Sequence, residues 1–251
     1  MHFVERPDEL RRILKTLDPA APPKALFLRR APEGVRGAGQ SLSVMSASFN
    51  PPTEAHLRMA EMAARTFALD EILLLLARTN VDKGLYGAPL DARMLMLDAL
   101  VRDRPTYSAA VVNRARFVDK LEALRPLYPA GVDIRFVVGY DTLVRLFDPK
   151  YYEDMNADLE RMFASCRVVA VNRADHDLDA VRRFLRRPEC QAFADRVDAM
   201  ELDPRHAAMS SSGVRERLRA GGAVDGLIPP EVERVIRRMG LYGNPTVKEE
   251  G

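Results

Sequence analysis

The 251-residue chain contains no tryptophan, two cysteines and four histidines. With no Trp, ten Phe and seven Tyr, it is poorly supplied with the stacking surfaces that hold single-stranded nucleic acid. Cys166 and Cys190 are too few and too far apart to frame a disulfide scaffold or a zinc knuckle. Two reduced thiols in an intracellular protein are the simpler reading, with Cys166 at the edge of an apolar run and therefore in the core. No HExxH or His-x-His spacing suggests a metal site built by the protein. Long apolar runs are missing as well. The longest, Ile72 to Ala77, falls far short of the roughly 20 residues that cross a bilayer. Acids at Glu5, Asp8 and Glu9 break the pattern of a secretory signal or a mitochondrial presequence. The balance of 38 basic against 36 acidic residues leaves a net charge of +2, too weak a field to demand nucleic acid or an anionic membrane. The chain is therefore expected to be soluble and cytoplasmic, with the nucleus also open to it. Neither nucleic acid nor a membrane is expected as a partner.

What is present is a chain 47% hydrophobic in which apolar runs alternate with amphipathic stretches. A helix is expected from about Pro7 to Leu17, and a strand in KALFLRR. LSVMSASF reads as a second strand. A helix follows, with Leu57, Ala60, Ala63, Ala64 and Phe67 on one face. The alternation continues through strands EILLLLA, SAAVVN, VDIRFVVG, SCRVVAVNR and DAMELD, with helices between them, a loop RHAAMSSS and two closing helices. Such a pattern predicts an α/β fold: a Rossmann-like, doubly wound parallel sheet with a helical C-terminal end. Residues 1–40 are expected to form an N-terminal extension packed on a domain spanning 41–251. In sheets of this kind ligands bind beyond the carboxyl ends of the strands, so the chemistry is sought in the loops there.

Four loops stand out. In SASFNPPTEAHL, Ser46, Ala47 and Ser48 are small enough to admit a ligand close to the backbone. Asn50, Pro51 and Pro52 force a turn, Thr53 is placed to cap the next helix, and His56 follows on the same face. Free N–H groups, the helix dipole, a hydroxyl and an imidazole together favour phosphate; a plain cap and a surface histidine are the competing reading. Neither a G-x-G-x-x-G nor a Walker A sequence occurs here. The loop after EILLLLA carries Asn80 and Lys83 among glycines, with a solvated lysine as the plain alternative. DIRFVVG ends at Gly139, where a missing side chain lets a nucleotide approach. Asp141 then stands at a helix entrance, ready either to cap N–H groups or to receive a ribose hydroxyl. Finally, Ser210, Ser211 and Ser212 precede a helix bearing Arg215 and Arg217, with Ser212 expected at the N-cap, which makes a second anion site. His2 is terminal, His176 is expected in a solvated loop, and His206 lies close to the Ser cluster.

SFNPP followed by Thr53, Glu54, Ala55 and His56 resembles the GSFNPxHxGH signature of the nucleotidylyltransferase superfamily, specifically its nicotinamide or nicotinate mononucleotide adenylyltransferases. Ala47 and Ala55 replace two signature glycines, which resembles a fungal-type branch and adds a methyl at each position. GYDTLVRLF resembles the G-x-D-x-L-x-x-F/L element. MSSSGVR resembles ISSTxIR, with Met209 for Ile and Ser212 for Thr. PLDARMLM resembles PLxxRxxM, in which Arg93 would serve structure. The segments stand in family order across residues 43–220.

The resemblance implies adenylyl transfer from ATP to nicotinamide or nicotinate mononucleotide, giving NAD or deamido-NAD and pyrophosphate. It implies His56, Thr53, Arg215 and Lys83 as the catalytic set. ATP and the mononucleotide would be bound by Ser46, Ala47, Ser48, Phe49, Asn50, His56, Asn80, Gly139, Asp141, Ser211, Ser212 and Arg215. Mg2+ would arrive on the ATP phosphates, with no metal ligand from the protein. The family's stacking Trp has no counterpart; Tyr151 or Tyr152 could replace it, with core or lid packing as their other role. A different acceptor such as phosphopantetheine, a cytidylyl donor, or a regulatory protein with a weakened pocket are the alternatives. An oligomer is compatible with all of them.

Overall fold

The computed structural model describes residues 7–78, 87–173 and 176–243. Runs rich in Val, Leu and Ile form strands whose residues are buried on both sides, the signature of a sheet covered by helices on each face. The strands are β1 (Ala25–Arg29), β2 (Ser41–Ala47), β3 (Glu71–Ala77), β4 (Tyr107–Val112), β5 (Asp133–Gly139), β6 (Arg167–Val171) and β7 (Val197–Met200). They form one sheet in the order β1-β4-β3-β2-β5-β6-β7. Every pairing is parallel except β1 with β4, so the expected doubly wound sheet gains an antiparallel edge strand from the N-terminal segment.

The helices are α1 (Pro7–Thr16), α2 (Glu54–Thr66), α3 (Leu90–Val101), α4 (Phe117–Leu124), α5 (Tyr140–Leu146) and α6 (Met155–Phe163). They continue with α7 (Leu178–Leu185), α8 (Pro188–Gln191), α9 (Pro204–Ala207), α10 (Ser211–Arg219) and α11 (Pro230–Arg238). Side chains alternate across each strand and divide the core in two. Met45, Leu74, Leu76, Val111 and Val137 face a layer built by α1, α2, α3, α10 and α11. Val44, Leu73, Leu75, Phe136 and Val138 face the layer of α4, α5, α6 and α7. Ala64 of α2 and its C-cap Phe67 are only partly buried at the margin of the first layer.

Two local expectations change. The segment expected as the loop RHAAMSSS begins with α9, nucleated by Asp203, whose side chain accepts the His206 backbone N–H at 3.2 Å. The following helix starts at Ser211, and its N-cap is Ser210 rather than Ser212: Ser210 Oγ accepts the Gly213 N–H at 3.1 Å. Three consecutive serines offer equivalent caps, and packing against the loop after β2 selects the first. Among the described residues no helix is long and apolar enough to cross a membrane.

Winding reverses between β2 and β5. From β2 the chain steps outward through β3 and β4; from β5 it steps the other way through β6 and β7. The loops leaving these two strands therefore part and leave a crevice at the carboxyl ends.

Candidate active site

The crevice is a cavity of about 410 Å³ at the carboxyl edge of the sheet. Ser46, Ala47 and Ser48 line it from the end of β2, Gly139 and Asp141 from β5 and α5, and Ser210, Ser211, Ser212 and Arg215 from α10, together with His56. Nine sequence-predicted residues besides His56 thus share one wall system. Asn80 and Lys83 lie outside the described residues.

Phe49 and Asn50 do not line the cavity; they hold its floor. Phe49 is fully buried at φ +43°, a left-handed conformation that costs a bulky residue strain, and its ring lies 5.2 Å from the His56 ring. The buried Asn50 Oδ1 accepts the Ala88 N–H at 3.0 Å and the Tyr242 hydroxyl at 2.7 Å. Its backbone carbonyl accepts from Arg215 at 2.7 Å. One asparagine thus ties the turn after β2 to the loop before α3, to α10 and to the C-terminal end. Gly87 must be glycine beside it: at φ +81° a Cβ would sit 2.5 Å from Asn50 Nδ2. Arg93 completes this floor, donating to the Ala88 carbonyl at 3.0 Å and the Ser48 carbonyl at 3.3 Å, the structural role expected of it.

Thr53 and His56 form a reciprocal pair at the start of α2. The His56 N–H donates to the Thr53 carbonyl at 3.0 Å, and the Thr53 N–H donates to His56 Nδ1 at 3.0 Å. The Thr53 hydroxyl is 2.8 Å from the same nitrogen and is buried away from the cavity. With Nδ1 accepting a backbone N–H, neutral His56 carries its proton on Nε2, the nitrogen left for the cavity. Burial, aided by the positive charge of Arg173, lowers the His56 pKa to about 4. The ring is therefore a neutral donor at physiological pH. Of the two replaced glycines, Ala47 lines the cavity, whereas Ala55 is buried outside it.

The same lowering makes stability acid-sensitive. An unfolded histidine protonates near 6.5, so His56 contributes fully above that pH, and its contribution is lost as pH falls from about 6.5 toward 4. The loss should amount to about 2–3 kcal/mol. Urea unfolding at pH 7 and pH 4.5 should show a larger drop for the wild type than for His56→Asn. Equal drops in the two proteins would refute the desolvated, neutral imidazole.

Arg215 is buried and reads two partners at once, the Asn50 carbonyl and Ser212 Oγ at 3.0 Å. Ser211 Oγ donates to the Pro51 carbonyl at 2.8 Å, so α10 is docked on the β2 turn through both residues. Asp141 is exposed on the cavity wall within the first turn of α5. The N-cap there is Gly139, without a side-chain cap, so the capping alternative for Asp141 does not hold. Gly139 passes under Arg173, whose Cδ would lie 3.3 Å from an added Cβ. His176 stacks on Tyr140 with centroids 4.1 Å apart rather than standing in solvent. His206 pairs with Asp203 at 2.7 Å and does not reach the cavity. Tyr152 is anchored by its hydroxyl on the Leu146 carbonyl at 2.7 Å, and both it and Tyr151 line the cavity.

Among the wall residues that no motif in the sequence marks are Arg173 at the end of β6, and Arg116, Phe117 and Lys120 around the start of α4. The available signal was position. All follow parallel strands at their carboxyl ends, where ligand contacts concentrate.

The profile of the cytidylyltransferase-like family matches residues 44–217. A Schizosaccharomyces pombe protein named for nicotinamide mononucleotide adenylyl transfer is 32% identical over 144 residues, covering 56% of this chain and 57% of that protein. A Synechococcus protein named for nicotinate-nucleotide adenylyl transfer is 28% identical over 211 residues, covering 81% of this chain and 98% of that protein. Among solved structures, the nicotinic acid mononucleotide adenylyltransferase of Plasmodium falciparum, complexed with NaAD, superposes with a TM-score of 0.59. That match has 16% identity, covers 82% of this chain and 98% of that one, and shows a shared fold.

Proposed function

This chain belongs to the cytidylyltransferase-like family, and from that premise we propose that it transfers the adenylyl group of ATP to a pyridine mononucleotide. The products are NAD or deamido-NAD and pyrophosphate. The observation that carries this reading is the convergence of a neutral imidazole N–H donor, a buried arginine and three serines on one cavity at the winding reversal. Relatives named for this activity lend it further support.

In this reaction a phosphate oxygen of the mononucleotide attacks the α-phosphorus of ATP. The bond from that phosphorus to the bridging oxygen breaks, and pyrophosphate leaves with the electron pair. The nucleophile is already an anion, so no general base is needed. Rate comes from positioning and from stabilising charge on the transferring group. His56 Nε2–H donates to the phosphate oxygens that gain charge. Thr53 is a positioning residue, since its N–H and hydroxyl hold Nδ1 and so aim Nε2. Arg215 and the α10 serines receive the leaving phosphates. Asp141 takes a ribose hydroxyl beside Gly139. On sequence grounds Lys83 and Asn80 add a cation and an amide from the loop after β3.

Among the described residues no group of three His, Cys, Asp or Glu side chains could hold a metal ion. Mg2+ is expected to be carried by ATP's own phosphates and by water, where it would neutralise phosphate charge. The two cysteines are free and buried, in keeping with a reducing compartment such as the cytoplasm.

Purified protein incubated with ATP, Mg2+ and either nicotinamide or nicotinate mononucleotide should release pyrophosphate and form the dinucleotide. Pyrophosphate release with phosphopantetheine but with neither mononucleotide would overturn the assignment.

A further inference from the structure

The proposed phosphate chemistry occupies the end of the cavity walled by α2 and α10. The other end is walled from the opposite face of the sheet by α4 and the segment after α5, and its chemistry differs. Phe117 lines it, held edge-on against Phe136 with centroids 5.2 Å apart. Lys120, one turn along α4, brings its ammonium 4.5 Å from the Phe117 ring centroid. It is 7% exposed, and no carboxylate among the described residues pairs with it. The contrast with Arg116 is sharp: that guanidinium is committed to Asp119 at 3.0 Å and to Asp158 at 2.9 Å. Burial lowers the Lys120 pKa to about 8 despite the opposing pull of Asp119. A desolvated cation of this kind gains most from an arriving anion.

We infer that Lys120 determines acceptor specificity, donating to an anionic substituent on the acceptor's aromatic ring and selecting a pyridine carboxylate over the corresponding carboxamide. The inference rests on the adenylyl-transfer reading and deepens it. Phosphates have their donors on α2 and α10, across the sheet from α4, so the cation on α4 is left for the base. Phe117 and Tyr151 offer aromatic surface to a planar ring there. An ammonium has three donors and no acceptor. It satisfies a carboxylate with charge-assisted bonds and leaves the amide's NH2 without a partner.

The test is kcat/KM of the full chain, with saturating ATP and Mg2+, for nicotinate and for nicotinamide mononucleotide. Wild type, Lys120→Met and Lys120→Arg are compared. The wild type should favour the nicotinate form. Lys120→Met should lower the ratio of the two kcat/KM values by at least about tenfold, chiefly through KM. Lys120→Arg, which keeps the charge, should keep the direction of the preference. Both substrates meet the same folded fraction, so the ratio is insensitive to partial unfolding; if Lys120→Met does not fold, Lys120→Gln reads the same ratio. A wild-type preference for the amide overturns the inference while leaving adenylyl transfer standing. So do equal losses on both substrates, as a phosphate contact or a structural role would give. A wild type inactive on both mononucleotides overturns adenylyl transfer and this inference with it.

Discussion

His56→Ala is expected to lower kcat by about 10²–10³-fold or more while leaving the fold in place. The imidazole is a donor whose geometry in the cavity is tightly specified. Its Nδ1 is taken by the Thr53 N–H, so the donor on Nε2 is fixed in direction and in tautomer before substrate arrives. Its pKa of about 4 keeps it a neutral donor throughout the physiological range. Turnover should therefore be insensitive to His56 titration between pH 5 and 8, and alanine should be equally impaired across that interval. The side chain contributes little apolar burial, so circular dichroism and the unfolding midpoint at pH 7 should move modestly. Adenylyl transfer within about fivefold of wild type in a folded His56→Ala protein would defeat the role given to the imidazole.

Arg215→Met should produce the second large effect, and on two readouts. The guanidinium is buried and donates to the Asn50 carbonyl and to Ser212, so removing it strands a buried acceptor in the turn after β2. That should cost about 1–3 kcal/mol in urea unfolding. Activity should fall by about 10²-fold or more per folded molecule, because the cation proposed to receive the leaving phosphates is gone. Arg215→Lys separates the two effects. It restores the charge but not the planar fork that serves two partners at once. Part of the stability should return, while kcat/KM for ATP stays depressed. Near wild-type kcat/KM for ATP in Arg215→Met, corrected for folded fraction, would sink the phosphate role and leave Arg215 as a docking residue alone.

The order of strands and helices was legible because it is carried by local periodicity. Runs such as ILLLLA are buried on both faces only in a covered parallel sheet, and helix-period stretches between them force crossovers. The loops that wall the cavity were legible for a similar reason: small residues, a cap and a donor three residues later are neighbours in sequence. Roles within those loops were less so. Nothing in SSSG distinguishes Ser210 from Ser212 as the cap, because all three serines can accept the same class of N–H. The choice is made where Ser211 and Arg215 dock on Pro51 and Asn50, about 160 positions away. Asn50 and Thr53 likewise read as ligand contacts, yet each is turned inward to hold another segment of the site.

The sequence by itself determined the fold class, the strand-end loops that line the cavity, and His56, Asp141 and Arg215 as candidates for its chemistry. These follow from period, turn chemistry and residue type over short spans. Tertiary structure alone decided that β1 pairs antiparallel at the sheet edge, that Arg173 faces His56 and that Lys120 is a buried ammonium in the same cavity. It also turned a histidine with an ordinary pKa near 6.5 into a neutral donor. Burial, charge proximity and a shared cavity depend on segments that are distant in the chain and meet only when the two halves of the sheet are wound in opposite directions.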